Sequence, residues 1–282
     1  MHMRTTDEGI LSVAALVADL RRLGVALGDA LMIHASLRRI GRVEGGAAGV
    51  LDALDAAVGP DGTLMMILGA VVDHEWVNQH PEDERAALLE DAAPYDPLAA
   101  PALPEVGYLA EAFRQRQGTM VTDNPSGRFA ARGRLAGAFL DDAPWHDYYG
   151  PGSPLERLCR AGGRVLRLGA NPETTTVLHY AEYLAEVPGK RRVRRHYKVQ
   201  GPDGPVVRMV ECLDDEFGIV DWPPPGAQVE DGEDDYFAVI LRAWLAEGRG
   251  LRGRVGGSSA ELIDAAEMVA FGADWMSRHL AG

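Results

Sequence analysis

Three short apolar runs, each closed by a turn and set among helical patterns, restrict this chain to one broad architecture. Ala30-Leu-Met-Ile-His34, Thr63-Leu-Met-Met-Ile-Leu68 and Val165-Leu-Arg-Leu168 are apolar at almost every position. A strand wetted on one face alternates, so runs of this kind read as strands covered on both faces. Amphipathic helices supply the cover. Residues 12–23 repeat Val13, Leu16, Val17, Leu20 and Leu23 before Gly24, and residues 46–58 stop at Gly59-Pro60. Helical patterns also occupy 108–117, 135–140, 155–161, 235–247 and 259–280, the last with Ser258 or Ser259 as its cap. Residues 129–131 read as a short strand and 35–41 as a loop. The expectation is an α/β fold in a single domain over residues 1–282, with a mixed central β-sheet flanked by helices.

Two stretches depart from that alternation. Across 69–106, Pro81, Pro94, Pro97, Pro101 and Pro104 exclude one long regular element, and acidic residues are frequent. A segment this long inside a domain reads as a loop insertion that lines a substrate cleft. In the C-terminal part, 194–199 and 206–212 alternate around Gly201-Pro-Asp-Gly204, which marks a β-hairpin. Trp222-Pro-Pro-Pro-Gly226 reads as a rigid connector.

A formal net charge of −14 argues against nucleic acid, which binds by phosphate neutralisation, and suits a cationic partner. No apolar run has the length of a membrane span, and Met1-His-Met-Arg-Thr-Thr-Asp-Glu8 lacks the layout of a signal peptide. Cys159 and Cys212 are far apart, without metal-ligand spacing, so a reduced cytoplasmic protein with structural thiols and no metal is expected. One basic run interrupts the acidic chain, Lys190-Arg-Arg-Val-Arg-Arg-His196. It reads either as a solvated strand edge or as part of a binding surface.

The chemistry concentrates in 164–186. The strand breaks at Gly169, turns through Asn171-Pro172, and restarts as a helix that Thr174, Thr175 or Thr176 can cap. His179 and Glu182 stand three residues apart and so share one helical face. An imidazole steadied by a carboxylate at a strand-to-helix turn suits a general base; the same spacing also describes an ordinary helix surface pair.

Several blocks together resemble one family. They are His34-Ala-Ser-Leu-Arg38, Asn124-Pro-Ser-Gly-Arg-Phe-Ala-Ala-Arg-Gly133, Gly150-Pro-Gly-Ser-Pro-Leu-Glu-Arg157, Leu168-Gly-Ala-Asn-Pro172 and Leu178-His-Tyr-Ala-Glu182. Gly189-Lys-Arg-Arg192 and Ile263-Asp-Ala-Ala-Glu-Met-Val-Ala-Phe-Gly272 extend the match. Their order and spacing resemble the aminoglycoside 3-N-acetyltransferases of the antibiotic N-acetyltransferase family, from Leu20 to Leu280. The resemblance implies transfer of an acetyl group from acetyl-CoA, as cosubstrate, to the 3-amino group of a 2-deoxystreptamine antibiotic. It implies direct attack with His179 as base, Glu182 as its orienting acid, and Thr176 or a neighbouring threonine, with backbone N–H groups, as oxyanion donor.

On the coenzyme side the resemblance implies His34, Ser36, Leu37, Arg38, Val43, Asn124, Ser126 and Phe129. A polycationic antibiotic needs carboxylates. The candidates are Asp73, Glu75 and Asp96 of the insertion, with Tyr95, and Glu211, Asp215 and Glu216 at the hairpin exit. Asp215 lies in a segment that matches a family acidic motif. The chain departs from the family pattern in two places. Asn124-Pro125 stands where His-Pro is common, and Leu213-Asp-Asp-Glu-Phe-Gly218 where Asp-Ser-Asn-Gly is frequent. Two other readings stay open: an acyl-CoA-dependent transferase for a different small amine, and a non-catalytic protein that sequesters cationic antibiotics or coenzyme A. The oligomeric expectation is a monomer or homodimer.

Overall fold

A computed structural model describes residues 9–223 and 235–281. The expected connector beyond Pro223, and the amino-terminal segment read as lacking a signal peptide, lie outside them. Helix α1 (Val13–Leu23) opens on Ser12, whose hydroxyl accepts from the Ala15 N–H, and stops at left-handed Gly24. Strand β1 (Ala30–Ala35) and the one-turn helix α2 (Leu37–Ile40) follow, the latter in the stretch expected to be loop. Then come α3 (Gly46–Val58) and β2 (Thr63–Ile67). The insertion holds only short elements: 3-10 turns at Glu75–Gln79 and Pro104–Val106 and helix α4 (Glu82–Leu88). Next are α5 (Tyr108–Arg114), β3 (Met120–Val121), β4 (Phe129–Gly133), α6 (Ala136–Leu140) and α7 (Pro154–Arg160). Strand β5 (Arg164–Leu168) leads to α8 (Leu178–Leu184), and the hairpin is β6 (Arg192–Gly201) with β7 (Gly204–Leu213). Helix α9 (Tyr236–Ala246), strands β8 (Leu251–Val255) and β9 (Ser258–Asp264), and helix α10 (Ala265–His279) complete the order.

The main sheet has seven strands in the order β3-β4-β2-β1-β5-β9-β8. The central β2, β1 and β5 are mutually parallel, while each flank is antiparallel, so the sheet is mixed as expected. Both faces are buried, which explains the unbroken apolar runs. Met32, Met65, Val165 and Ile263 face a core with Leu178, Trp244 and Met268. Leu31, Ile33, Leu64, Met66 and Leu166 face another with Leu16, Leu20, Leu54 and Phe113.

The expected helix over 259–280 is half right. Residues 258–264 form β9, and Asp264, not a serine, caps the helix by accepting from the Glu267 N–H. Ser258, Ala260 and Leu262 are buried at period two, a pattern masked by residues of good helix propensity. The tight turn at Gly256-Gly257 (Gly256 φ +59°) folds β8 onto β9. The basic run lies on the edge strand β6, with Arg192 and Arg194 exposed, but its arginines are paired. Arg192 pairs with Asp147 and Glu211, Arg194 with Glu211 and Glu82, and Arg195 with Asp215.

The insertion is tied down rather than loose. Buried Arg128 donates to the carbonyls of Ala100 (2.8 Å) and Pro97, while Tyr95 N–H reaches Lys198 O on the hairpin at 2.8 Å. Near Arg128, Gly127 is needed for close approach: a Cβ there would lie 2.0 Å from Cδ2 of Tyr148, whose ring is buried. Gly127→Ala is therefore expected to cost about 1–3 kcal/mol by overpacking. Thermal unfolding checks this; an unchanged Tm would contradict the packing.

Candidate active site

The C-terminal ends of the parallel strands open into a cleft of about 780 Å³, where open α/β sheets place their ligands. Its walls are the residues just after β1 (Ser36 to Arg39), after β2 (Gly69) and after β5 (Gly169 to Asn171, Glu173, Thr174, Thr176), with His179. A second cleft of about 1000 Å³ runs between the insertion and the hairpin, lined by Glu75, Glu105, Asp214, Asp215 and Glu216 but also by Arg85, Arg194 and Arg195. The two share Leu103, Glu105, Ser126 and Asp215. A smaller recess of about 160 Å³ adjoins them at His179 and Asp215.

His179, in the first turn of α8, lines the first cleft and the small recess. Its Nδ1 lies 2.8 Å from Glu182 Oε2, and 18 % of its side chain is exposed while Glu182 is buried. The ring stacks on Tyr149 with centroids 4.7 Å apart and planes 10° apart, and meets Phe237 edge-on at 4.8 Å. Tyr236 donates its hydroxyl proton to Glu182 Oε1. With Nδ1 held by the carboxylate, Nε2 is the nitrogen left for the cleft. Burial pulls the His179 pKa down, but the charge and hydrogen bond of Glu182, with Asp215 and Asp235, outweigh it and raise it above 6.5. Glu182 is itself raised by burial, against the lowering influence of His179 and Tyr236.

None of the three threonines caps α8, whose N-cap is Val177. Thr175 is buried, accepts from Arg167 at 2.7 Å and donates to Pro172 O. Thr174 donates to Asn171 O at 2.7 Å. The N–H groups of Leu178, His179 and Tyr180 are already spent on the carbonyls of Thr175, Thr176 and Val177. Of the expected oxyanion donors, the hydroxyl of cleft-lining Thr176 is the one not committed among the described residues.

His34, Ser36, Leu37, Arg38 and Ser126 line the first cleft. His34 is buried beside Arg167, and burial first, then that charge, drops its pKa to about 3, so the ring is neutral. Three residues expected on the coenzyme side lie elsewhere. Val43 packs on the core and bridges Leu11; Phe129 is wholly buried in β4 against Tyr149. Asn124 builds its own turn, accepting from Ser126 and Gly127 N–H groups and donating to Trp145 O.

On the acidic side, Glu75, Asp215 and Glu216 line the second cleft, but Asp73, Tyr95, Asp96 and Glu211 do not. Asp96 accepts from Leu98 and Ala99 N–H groups, Glu211 is taken up by Arg192 and Arg194, Tyr95 is buried, and Asp73 faces solvent. Asp215 accepts from Tyr148 (2.6 Å) and from half-buried Arg195 (2.8 Å). Tyr148, Tyr149, Arg195, Tyr236 and Phe237 were not expected at the site. Tyr148 and Tyr149 adjoin the quoted Gly150 block and Arg195 lies in the basic run; Tyr236 and Phe237 carry no such local signal. Among the described residues no group of three or more His, Cys, Asp or Glu could hold a metal, and no helix is long and apolar enough to cross a membrane.

Fold and clefts together define an open-sheet α/β enzyme with an acid–imidazole pair beside one large cleft, which meets a second at Asp215. The sequence model described as Aminoglycoside 3-N-acetyltransferase matches residues 32–277, and the chain belongs to that family. It is 40 % identical over 276 residues to aminoglycoside N(3)-acetyltransferase VIII of Streptomyces fradiae, covering 97 % of this chain and 94 % of that protein. It resembles the structure of AAC-IIIb in binary complex with CoASH at a TM-score of 0.86 and 37 % identity, over 96 % of this chain and 98 % of that one. Sisomicin-bound AAC-VIa matches at a TM-score of 0.86 and 34 % identity, over 96 % of this chain and 100 % of the other.

The charge coupling is directly measurable. In Glu182→Gln the carboxylate no longer offsets burial, so the His179 ring is expected to titrate at lower pH than in the wild type. NMR titration of the ring protons checks this; an unmoved midpoint would contradict it.

Proposed function

We propose that this enzyme transfers the acetyl group of acetyl-CoA to the 3-amino group of a 2-deoxystreptamine aminoglycoside, with His179 as general base and direct attack of the amine. The observation that carries the reading is His179, held by Glu182, in the wall of a cleft suited to the coenzyme that meets, at Asp215, a second cleft suited to a polycation. In the first, Leu37, Ile67, Val106 and Leu109 offer apolar wall for pantetheine, while Ser36, whose hydroxyl makes no cap bond, and exposed Arg38 suit phosphate oxygens. The second presents Glu75, Glu105, Asp215 and Glu216 to ammonium groups.

An ammonium has no lone pair, so a proton must leave before the nitrogen attacks. His179 Nε2 takes it, and Glu182 stabilises the imidazolium while fixing the tautomer. The amine nitrogen then bonds to the thioester carbon, and the oxygen gains negative charge beside the Thr176 hydroxyl. Collapse breaks the carbon–sulfur bond, and the proton on Nε2 passes to the departing thiolate. The second proton of the acetylated nitrogen leaves to solvent, so an ammonium and a thioester become an amide, a thiol and one proton. No acyl-enzyme is needed. Cys159 and Cys212 are outside the cleft linings, and burial pushes both thiols up to about 12.

Three outcomes follow. His179→Ala lowers kcat by roughly two to four orders of magnitude with both substrates still bound. Thr176→Val lowers kcat by about two orders of magnitude, the loss of one oxyanion donor. Because the base works in its neutral form, wild-type kcat/KM rises with pH through the raised His179 pKa, and Glu182→Gln moves that limb to lower pH. Thiol release from acetyl-CoA across an aminoglycoside panel, with mapping of the acetylated nitrogen, tests the whole reading. Turnover of a small amine but of no 2-deoxystreptamine drug would replace the acceptor; binding without turnover would sink the transferase.

A further inference from the structure

Among the large apolar side chains left exposed in the described residues, only Tyr108 and Phe217 line the clefts that meet at Asp215. Tyr108 belongs to the first cleft. Phe217 lines the second cleft and also the small recess that contains His179 and Glu182. It leaves 71 % of its surface in solvent, which forgoes most of the burial a phenyl ring normally contributes.

This exposure is not looseness of the loop. Buried Asp214 accepts from the N–H groups of Glu216 (3.1 Å) and Phe217 (3.0 Å). Arg191 donates to the carbonyls of Phe217 (3.0 Å) and Gly218 (3.2 Å). Ile219 N–H donates to the Tyr236 hydroxyl, the same hydroxyl that holds Glu182. A turn anchored on both sides therefore presents one bare aromatic ring, preceded by two carboxylates that line the same cleft. Asp215 is kept in place by Arg195 and Tyr148, and Glu216 is largely exposed.

That combination matches one ligand chemistry. A six-membered amino-sugar or aminocyclitol ring carries C–H groups on its faces and ammonium and hydroxyl groups around its edge. An aromatic face takes the C–H side, its quadrupole favours nearby cations, and flanking carboxylates take the ammonium groups. We propose that Phe217 is the platform on which a ring of the aminoglycoside acceptor stacks, with Asp215 and Glu216 receiving that ring's ammonium groups. The platform rests on the acetyl-transfer reading above and adds the determinant of acceptor choice.

The test is steady-state kinetics of the full chain with acetyl-CoA and its best aminoglycoside. Phe217→Ala should raise the acceptor KM by roughly three- to tenfold, the scale of an aromatic and cation–π contact, with the loss in KM rather than kcat. The KM for acetyl-CoA should stay put, because Phe217 does not line the first cleft. Phe217→Trp should keep the wild-type acceptor KM, and Phe217→Leu, apolar without a π face, should fall between. Unchanged melting of the exposed-site variants separates the effect from misfolding. An unchanged acceptor KM in Phe217→Ala, or a Leu variant equal to wild type, overturns the platform alone. Failure of the wild type to acetylate any aminoglycoside overturns the transfer reading and the platform with it.

Discussion

The burial of one carboxylate organises the working half of this molecule. Glu182 is 1 % exposed, and stripping water from a carboxylate costs several kcal/mol unless its oxygens are bonded elsewhere. One oxygen is met by His179 Nδ1 from the same helix, the other by the Tyr236 hydroxyl from α9. The second bond ties the first turn of α9 to α8, and α10 lies between the two helices, where Gly272 leaves room for Leu178 and Ile240. The imidazole gains its tautomer, its orientation and its raised basicity from the same arrangement.

Three buried or nearly buried guanidiniums fix the walls around that centre. Arg167 donates to Thr175 Oγ1 and to the carbonyls of Ala170 and Asn171, which shapes the loop ahead of His179. Burial first, and the Arg167 charge second, keeps the neighbouring His34 ring neutral at the first cleft. Arg195 holds Asp215 at the point where the clefts join, and Arg128 gathers carbonyls of the insertion. A planar fork with several fixed donors suits each task, since one side chain satisfies several loop carbonyls that sheet or helix cannot. Reach is the common property: each arginine links segments distant in the chain or closes a loop over itself.

How much of this was legible in the residues varies with range. Both-face burial of β1, β2 and β5 follows from their composition, and the His179–Glu182 pairing follows from helical spacing. The strand at 258–264 was not legible, because its period-two burial is written in residues that also suit a helix and is decided by pairing with β5 and β8. Thr174, Thr175 and Thr176 are equivalent on paper; Arg167 consumes one and Asn171 O another. Acidic residues were the least legible group. Glu211 and Asp215 both sit near the hairpin exit, yet one neutralises surface arginines and the other lines every cleft at the junction.

By itself the sequence determined the alternation of strand and helix, the mixed α/β class, the family, and an acid beside an imidazole on one helical turn. These are encoded in short periods and ordered motifs, which need no knowledge of distant contacts. Only the tertiary structure decided which groups complete the site: Tyr149 beneath the imidazole, Tyr236 on the acid, Arg195 on Asp215, and the bare ring of Phe217. Tyr236 and Glu182 are separated by 54 residues, and such partners are chosen by the packing of whole elements, for which no local pattern stands in.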